Sequence, residues 1–415
     1  MRIVVAPDSF KGSLDAASAA AAMAAGVARA VPGASVVTCP IADGGEGTVA
    51  AFLAAGATAV TSRVHGPLGA PVSAVWARRA TTAVIEAAAA NGLHLVTPSA
   101  ATALAADTGG VGDLVLAALD ADCTEVVLGV GGSASTDAGT GMARALGVHF
   151  TDTAGVELPP GGGELERLWH VDRSALDPRV AELTVTVACD VDSPLTGPSG
   201  AAAVFGPQKG AGPAEVARLD HGLARWAAVL AEGIQTGAVE AERVPAESVE
   251  REGVQAVGGR AMGGRASGRE RADPDLARRP GSGAAGGLAA GAIAFLGARL
   301  TSGADLVLDL IGIDTALREA DLVIVGEGSL DAQSLRGTGP GVLAARARAA
   351  GVPVLAVAGV VDLTPEQLHA AGIERAVALL DVAVDPADSR LRAAELVTVQ
   401  TSAVLRWWID RRSQP

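Results

Sequence analysis

Asp8, Ser9, Lys11 and Ser13 crowd the turn PDSFKGSLDAA, directly after the first apolar run of the chain. A carboxylate, two hydroxyls and an ammonium there suit a small anion. The amides and positive end of a following helix would favour a phosphate or carboxylate, with Lys11 adding a point charge. The plainer alternative is a helix cap beside a solvated lysine. In ADGGEGT, Asp43 and Glu46 flank a glycine pair. Two carboxylates on one tight loop repel unless a cation or a donor sits between them, so they suit Mg²⁺ held through water or an oriented hydroxyl. An acidic first helical turn is the bland alternative.

Four later segments add chemistry. GVGGSASTDAGTGM, from Gly129 to Met142, offers Gly131, Gly132, Ser133 and Asp137 as a phosphate cradle, without the G-x-x-x-x-G-K-[ST] spacing of a P-loop. ACDVDSPL supplies Asp190 and Asp192, and FGPQKGA carries Lys209 in a Gly-Pro turn. VGEGSLDAQS sets out Glu327, Ser329, Asp331 and Gln333, carboxylates and hydrogen-bonding groups for a metal or a base. Lys11 and Lys209 are the only lysines, against thirty arginines, and both stand in Gly/Ser-rich loops. That placement points to anionic ligands. The six histidines show no nucleophile or metal pattern.

These residues follow short β-branched runs that alternate with Ala-rich helical windows. Arg2 to Ala6 reads as a strand, Leu14 to Ala30 as a helix, Ser35 to Thr38 as a strand and Gly47 to Ala55 as a helix. Further buried strands are expected at Val126 to Val130, Leu183 to Asp190, Leu322 to Gly328 and Val354 to Gly359. The βαβα order implies an α/β protein with a largely parallel sheet, and such sheets bind ligands at the carboxyl ends of their strands. Each candidate loop lies at such an end.

The 415 residues exceed one ordinary domain, and 49% hydrophobic against 19% charged residues exclude global disorder. A net charge of −14 leaves no basic field for a nucleic-acid backbone. No apolar signal region follows Met1-Arg2, and the Gly- and Ala-rich stretch from Gly281 to Ala298 is too weakly hydrophobic for a membrane span, so it reads as a packed helix. Cys39, Cys123 and Cys189 are widely spaced, as in reduced thiols, and the expectation is a cytoplasmic protein without membrane or nucleic-acid partners. The stretch 239–282 carries eight arginines, eight acids and almost no bulky apolar residues. It reads as a mobile surface insertion, or functionally as an arginine-bearing lid over an anionic site.

Taken together, APDSFKGSL, ADGGEGT, VVLGVGGSASTDAGTGM, ACDV, FGPQKGA, GSGAAGGL and GEGSLDAQS resemble, in order and across nearly the whole chain, the bacterial class I glycerate kinase family. The resemblance implies ATP- and Mg²⁺-dependent phosphorylation of D-glycerate, usually at the 2-hydroxyl to give 2-phosphoglycerate, with 3-phosphoglycerate the lesser expectation. It also implies two α/β domains: a flavodoxin-like domain from both chain ends, 1–65 plus 290–415, and an inserted restriction-endonuclease-like domain, 66–289. A homo-oligomer stays open. Thr338 in RGTGPGV stands where the family has lysine, and Gly109 where it has a bulkier residue.

On this reading Lys11, Asp43, Asp190 and Asp331 are the candidate catalytic residues. One of Asp190 and Asp331 holds Mg²⁺ and the other positions or deprotonates the hydroxyl. Asp8, Ser9, Ser13, Glu46, Gly131, Gly132, Ser133, Asp137, Lys209, Glu327, Ser329 and Gln333 are the candidate substrate and phosphate contacts. Two alternatives remain: a non-catalytic small-anion-binding or regulatory protein that keeps these motifs as scaffold turns, and a kinase for another small hydroxy acid.

Overall fold

The computed structural model describes residues 1–235 and 275–413. Strand β1 (Arg2–Pro7) is apolar on both faces, and helix Ala16–Ala30 carries the chain on to β2 (Ser35–Thr38), parallel to β1. The chain then leaves this sheet. It builds the antiparallel run β3 (Thr58–His65), β4 (Pro71–Arg79) and β5 (Thr82–Glu86), followed by β6 (Glu125–Gly129) parallel to β5. A small hairpin pairs β7 (His149–Thr151) with β8 (His170–Asp172); β9 (Thr184–Ala188) and β10 (Arg299–Thr301) complete the second sheet. The chain finally returns through β11 (Leu322–Leu330), β12 (Val354–Val361) and β13 (Ile373–Ala378).

The first sheet runs β13-β12-β11-β1-β2 and is parallel throughout. Counted by its own strands this is the 2-1-3-4-5 order of flavodoxin-like sheets, whose chain direction switches between β1 and β11. Side chains alternate across it. Ile3 and Val5 pack with helices Ala16–Ala30 and Ala393–Ser413 on one face, while Val4 and Ala6 pack with Leu308, Ile313 and Leu343 on the other. Two-sided burial explains why the central strands β1, β11 and β12 read as apolar runs.

The second sheet runs β10-β9-β6-β5-β4-β3 and is mixed. The α/β class holds, but the expectation of largely parallel pairing misses the β3–β4 ribbon at its edge. Those strands are half exposed and carry Thr, Ser and Arg outward, which blurs their pattern in sequence. Because β3 and β10 belong to this sheet, its strands span 58–301, and the crossings between sheets fall within 39–57 and 302–321 rather than at 65 and 290. Helix Gly303–Ile311 serves both sheets. Its Leu308 joins the core of the first, and its Val307 packs with Phe52, Val84 and Val127 against the second.

The expected insertion at 239–282 and its lid reading lie for the most part outside the described residues. Its last part is held to the core although Asp275, Arg278 and Pro280 stay exposed: Leu276 is buried beside Leu195 and Trp226, Ala277 O accepts the Leu195 N–H at 3.1 Å, and Ser282 is fully buried. The packed-helix expectation for 281–298 resolves into a tight turn, Ala284–Gly287, and helix Leu288–Leu296.

Candidate active site

Asp8 follows β1 and Glu327 lies near the end of β11, so the two flank the point where the chain direction switches. The Asp8 N–H donates to Gly326 O at 2.8 Å, which ties the turn to the neighbouring strand. Burial first, and the Asp43 carboxylate second, push the Asp8 carboxyl up to about 7, against weaker pulls from the Ser9 N–H and Lys11. Glu327 is also pushed up to about 7, mainly by burial and then by Asp8 and Asp331, while Ser334 and Lys11 act in the opposite direction. Its Oε1 is buried without a hydrogen-bond partner among the described residues. Lys11 is exposed above them, and its backbone lies against Gly328.

The expected anion site at the first helix needs correction. Helix Ala16–Ala30 is capped by Asp15, whose Oδ1 accepts the Ser18 N–H at 2.6 Å, and Ser13 Oγ donates to Phe10 O at 2.9 Å. A carboxylate therefore already occupies the positive helix end. What the turn offers an anion is Lys11, not the helix.

The ADGGEGT loop lies where the sheets meet. Gly44 has φ +86°, and a Cβ there would stand 2.7 Å from Ala188 Cβ and 2.9 Å from Gly303 Cα. Gly303 is still tighter, since its Cβ would fall 1.9 Å from Asp43 O. Only glycine lets the loop, the end of β9 and the start of helix Gly303–Ile311 touch through backbone. Asp190, just past β9, accepts the Gly303 N–H at 2.9 Å and the Ala304 N–H at 3.3 Å. Its residue is exposed along one side, yet burial of the carboxyl, with Asp43 nearby, pushes it up to about 6 despite those bonds and one from Ser302. Glu327, Asp8, Asp43 and Asp190 thus form a row of carboxyl groups running from the first sheet to the second, in which Asp8 acts on Glu327 and Asp43 acts on both Asp8 and Asp190.

Asp331 stands at the far end of that row from Asp190. Its Oδ1 accepts the Gln333 N–H at 2.7 Å and the Ser334 N–H at 3.1 Å, so it shapes its own turn, while Ser329 and Gln333 are exposed. Glu46 is exposed on the ADGGEGT loop, and Ser9 is half-buried beside Asp8. Thr338 Oγ1 donates to Ser334 O at 2.9 Å. A hydroxyl turned back into the chain does not stand in for a cation.

Two expected ligand contacts are internal. Asp137 is fully buried and accepts four donors: Thr108 N–H (3.0 Å), Thr108 Oγ1 (2.8 Å), Gly141 N–H (3.0 Å) and Gly139 N–H (3.2 Å). With its oxygens saturated it organises the loop rather than a phosphate. Lys209 is 2% exposed, and its ammonium donates to Ser135 O at 2.5 Å and Ser133 Oγ at 3.2 Å. Its rarity reflects a buried role. Gly131 and Gly132 remain at the outer side of this loop, and Gly131 packs over Gly45 of the ADGGEGT loop.

Glu86 was not apparent from sequence. It ends β5 and accepts the Val49 N–H at 2.7 Å, capping helix Thr48–Ala54 beneath the ADGGEGT loop; burial pushes its carboxyl up. An acid closing an otherwise buried strand was the available signal. All three cysteines are free, and no described helix is long and apolar enough to cross a membrane. Among the described residues, no three His, Cys, Asp or Glu side chains are placed to hold a metal ion by themselves.

Comparison with known proteins places this geometry in a family. The family model described as the glycerate kinase family matches residues 3–409. The chain is 39% identical to the glycerate kinase of Bacillus subtilis (strain 168), covering 95% of this chain and 94% of that one. It is 37% identical to the glycerate 2-kinase of Escherichia coli (strain K12), with 95% and 94% covered. The crystal structure of a glycerate kinase 2 candidate from Salmonella typhimurium LT2 superimposes with a TM-score of 0.79 at 36% identity, covering 100% of both chains. Matched from end to end by sequence and by fold, the chain belongs to the glycerate kinase family.

Proposed function

We propose that the protein is an ATP-dependent kinase that transfers the γ-phosphoryl group to glycerate. The observation that carries this reading is the pair of carboxyl groups, Asp8 and Glu327, both raised to about 7 beside Lys11 at the switch point of a parallel sheet. Phosphoryl transfer asks mainly for positioning and charge neutralisation, plus a group that accepts the hydroxyl proton. As the substrate oxygen bonds to phosphorus, the bridging bond to the ADP oxygen breaks and Glu327 takes the proton. Lys11 would pair with the glycerate carboxylate or the transferred group. The exposed Gly131–Gly132 backbone would face the nucleotide phosphates.

The donor set also fits Mg²⁺. Asp43 and Asp190 offer oxygens only, and their mutual repulsion is one a divalent cation would relieve. Mg²⁺ ordinarily takes one or two carboxylates and completes its shell with water and phosphate oxygens, so a complete protein cage is not required. When bound it neutralises phosphate charge. This favours Asp190 over Asp331 as the metal carboxylate. The expected product is 2-phosphoglycerate.

A coupled assay for ADP with D-glycerate and a panel of other small hydroxy acids tests the proposal. Glycerate-dependent turnover is the expected result. Thermal stabilisation by ATP or glycerate without turnover would favour the anion-binding alternative, and turnover confined to another acid would replace the substrate.

A further inference from the structure

The loop from Gly131 to Ser135 is held from two sides by side chains that touch no open space. On one side, Lys209 closes the short turn Pro207–Lys209 and reaches inward to Ser135 O and Ser133 Oγ. That turn is itself fixed: a Cβ at Gly210 would lie 2.2 Å from Ser99 N, so its backbone is pressed against the neighbouring segment. On the other side, Asn91 Nδ2 donates to Ser135 Oγ at 2.8 Å, Asn91 O accepts the Ala134 N–H at 2.8 Å, and the Leu93 N–H donates to Gly132 O at 2.9 Å. Asn91 is fully buried. The N–H groups of Gly132 and Ser133 make no close hydrogen bond to another backbone group among the described residues.

We infer that Lys209 and Asn91 are positioning residues, a two-sided clamp that holds the Gly131–Ser135 loop in the shape that presents its amides to phosphate. Neither touches substrate. The inference rests on the phosphoryl-transfer reading above.

Composition together with burial agrees with it. This chain uses arginine thirty times and lysine twice, and Asn91 is its single asparagine. Burying an ammonium is costly, and this one, with Asp137 the charged group facing it, is pushed down to about 7 by its burial. A residue held at such a cost, in a chain biased toward arginine, is held for its shape. An ammonium is a compact donor on a slender stem, whereas a planar guanidinium needs more room than a closed site provides.

The test uses the full chain with Lys209→Met, Lys209→Arg and Asn91→Ala, each followed by thermal melting, by separate kcat and KM values for ATP and glycerate, and by amide hydrogen exchange without nucleotide. The expected result for folded Lys209→Met is a kcat loss of about 10²-fold, the scale of misplacing a reacting group by about 1 Å. The KM for glycerate should hold, and the Ala134 and Leu93 amides should exchange faster. Lys209→Arg should not restore the rate, and Asn91→Ala should move both readouts the same way. A loss confined to the KM for ATP, with exchange at Ala134 unchanged, would make Lys209 a ligand contact and overturn the clamp. So would unchanged kcat and exchange. If the Lys209 variants do not fold, Asn91→Ala decides alone by the same two readouts. If wild-type protein turns over no hydroxy acid, the function proposal fails while the exchange measurement still judges the clamp.

Discussion

The N–H of Asp8 donates to Gly326 O at 2.8 Å, which sets the carboxyl of Asp8, just past β1, beside that of Glu327 in the last part of β11, near enough that Asp8 helps keep Glu327 protonated. Among the described residues, Lys11 is the basic group that acts on both in the opposite direction. A carboxyl group raised toward neutrality is suited to accept a proton at working pH.

The first prediction follows from that sign. Glu327 can accept a proton only when ionised, so kcat/KM should rise with pH through about 7 and level off above it. Glu327→Gln should lower kcat by roughly 10²–10⁴-fold and abolish the acid limb, with the melting temperature retained. A rate profile from pH 5.5 to 9 on both proteins checks this.

Asp8→Asn removes one negative neighbour from Glu327. Ionising Glu327 then becomes easier, so the acid limb should move to lower pH. The same titration reads the shift, and a limb that stays in place would mean the two acids are uncoupled.

Asp190 is predicted to serve both helix and metal. Asp190→Asn keeps a carbonyl oxygen for the Gly303 N–H and should cost less than about 1 kcal/mol of stability, the scale of a weakened cap. It should raise the Mg²⁺ concentration for half-maximal rate by tenfold or more, as roughly 1.4 kcal/mol of lost binding implies. Mg²⁺ titrations of turnover paired with urea melts separate the two effects.

Much of this arrangement was legible in sequence, for physical reasons that differ from residue to residue. Strands β1, β6, β11 and β12 are largely buried on both faces, so their runs of Val, Ile and Leu announced them, while β9 showed itself by alternating Thr with Val. The loops at their ends announced themselves by clustering acids and glycines. The cap formed by Asp15 was also legible, since Asp followed by an Ala-rich helix is a start signal. The burial of Lys209 was not legible, because rarity marks a costly buried residue and a ligand contact equally. The saturation of Asp137 depends on Thr108, 29 residues away. Pairing at that separation leaves no local pattern, and neither does the contact of Gly44 with Gly303.

That contact yields a fourth prediction. Gly303→Ala would place a methyl 1.9 Å from Asp43 O and 2.8 Å from Asp190 Oδ2, forcing the sheets apart at the site. Stability should fall by about 1–3 kcal/mol, the usual cost of overpacking, with a disproportionate loss of rate. Gly312→Ala, where no atom lies near but φ is +76°, provides a control for backbone strain without the clash.

Asp107 gives a stability prediction away from the reacting groups. Burial, and secondarily Asp137, raise its carboxyl to about 6, opposed by Gly109 N–H, Arg144 and His65. The folded state therefore holds a proton between about 3.8 and 6 that the unfolded state releases, and stability falls as pH rises through that window. Asp107→Asn, which keeps an acceptor for Gly109 N–H, should stabilise the protein by about 1 kcal/mol at pH 7.5 and show no advantage near pH 4. Chemical denaturation at the two pH values checks the crossover.

Phosphorus NMR of a reaction containing the full chain, ATP, Mg²⁺ and D-glycerate tests the central claim most directly. The account predicts that ADP and a phosphomonoester of glycerate grow together, that the ester is 2-phosphoglycerate, and that both grow at least about 10²-fold more slowly with Glu327→Gln. ATP and glycerate left unchanged by well-folded wild-type protein, or a Glu327→Gln variant that forms the ester at the wild-type rate, would contradict it.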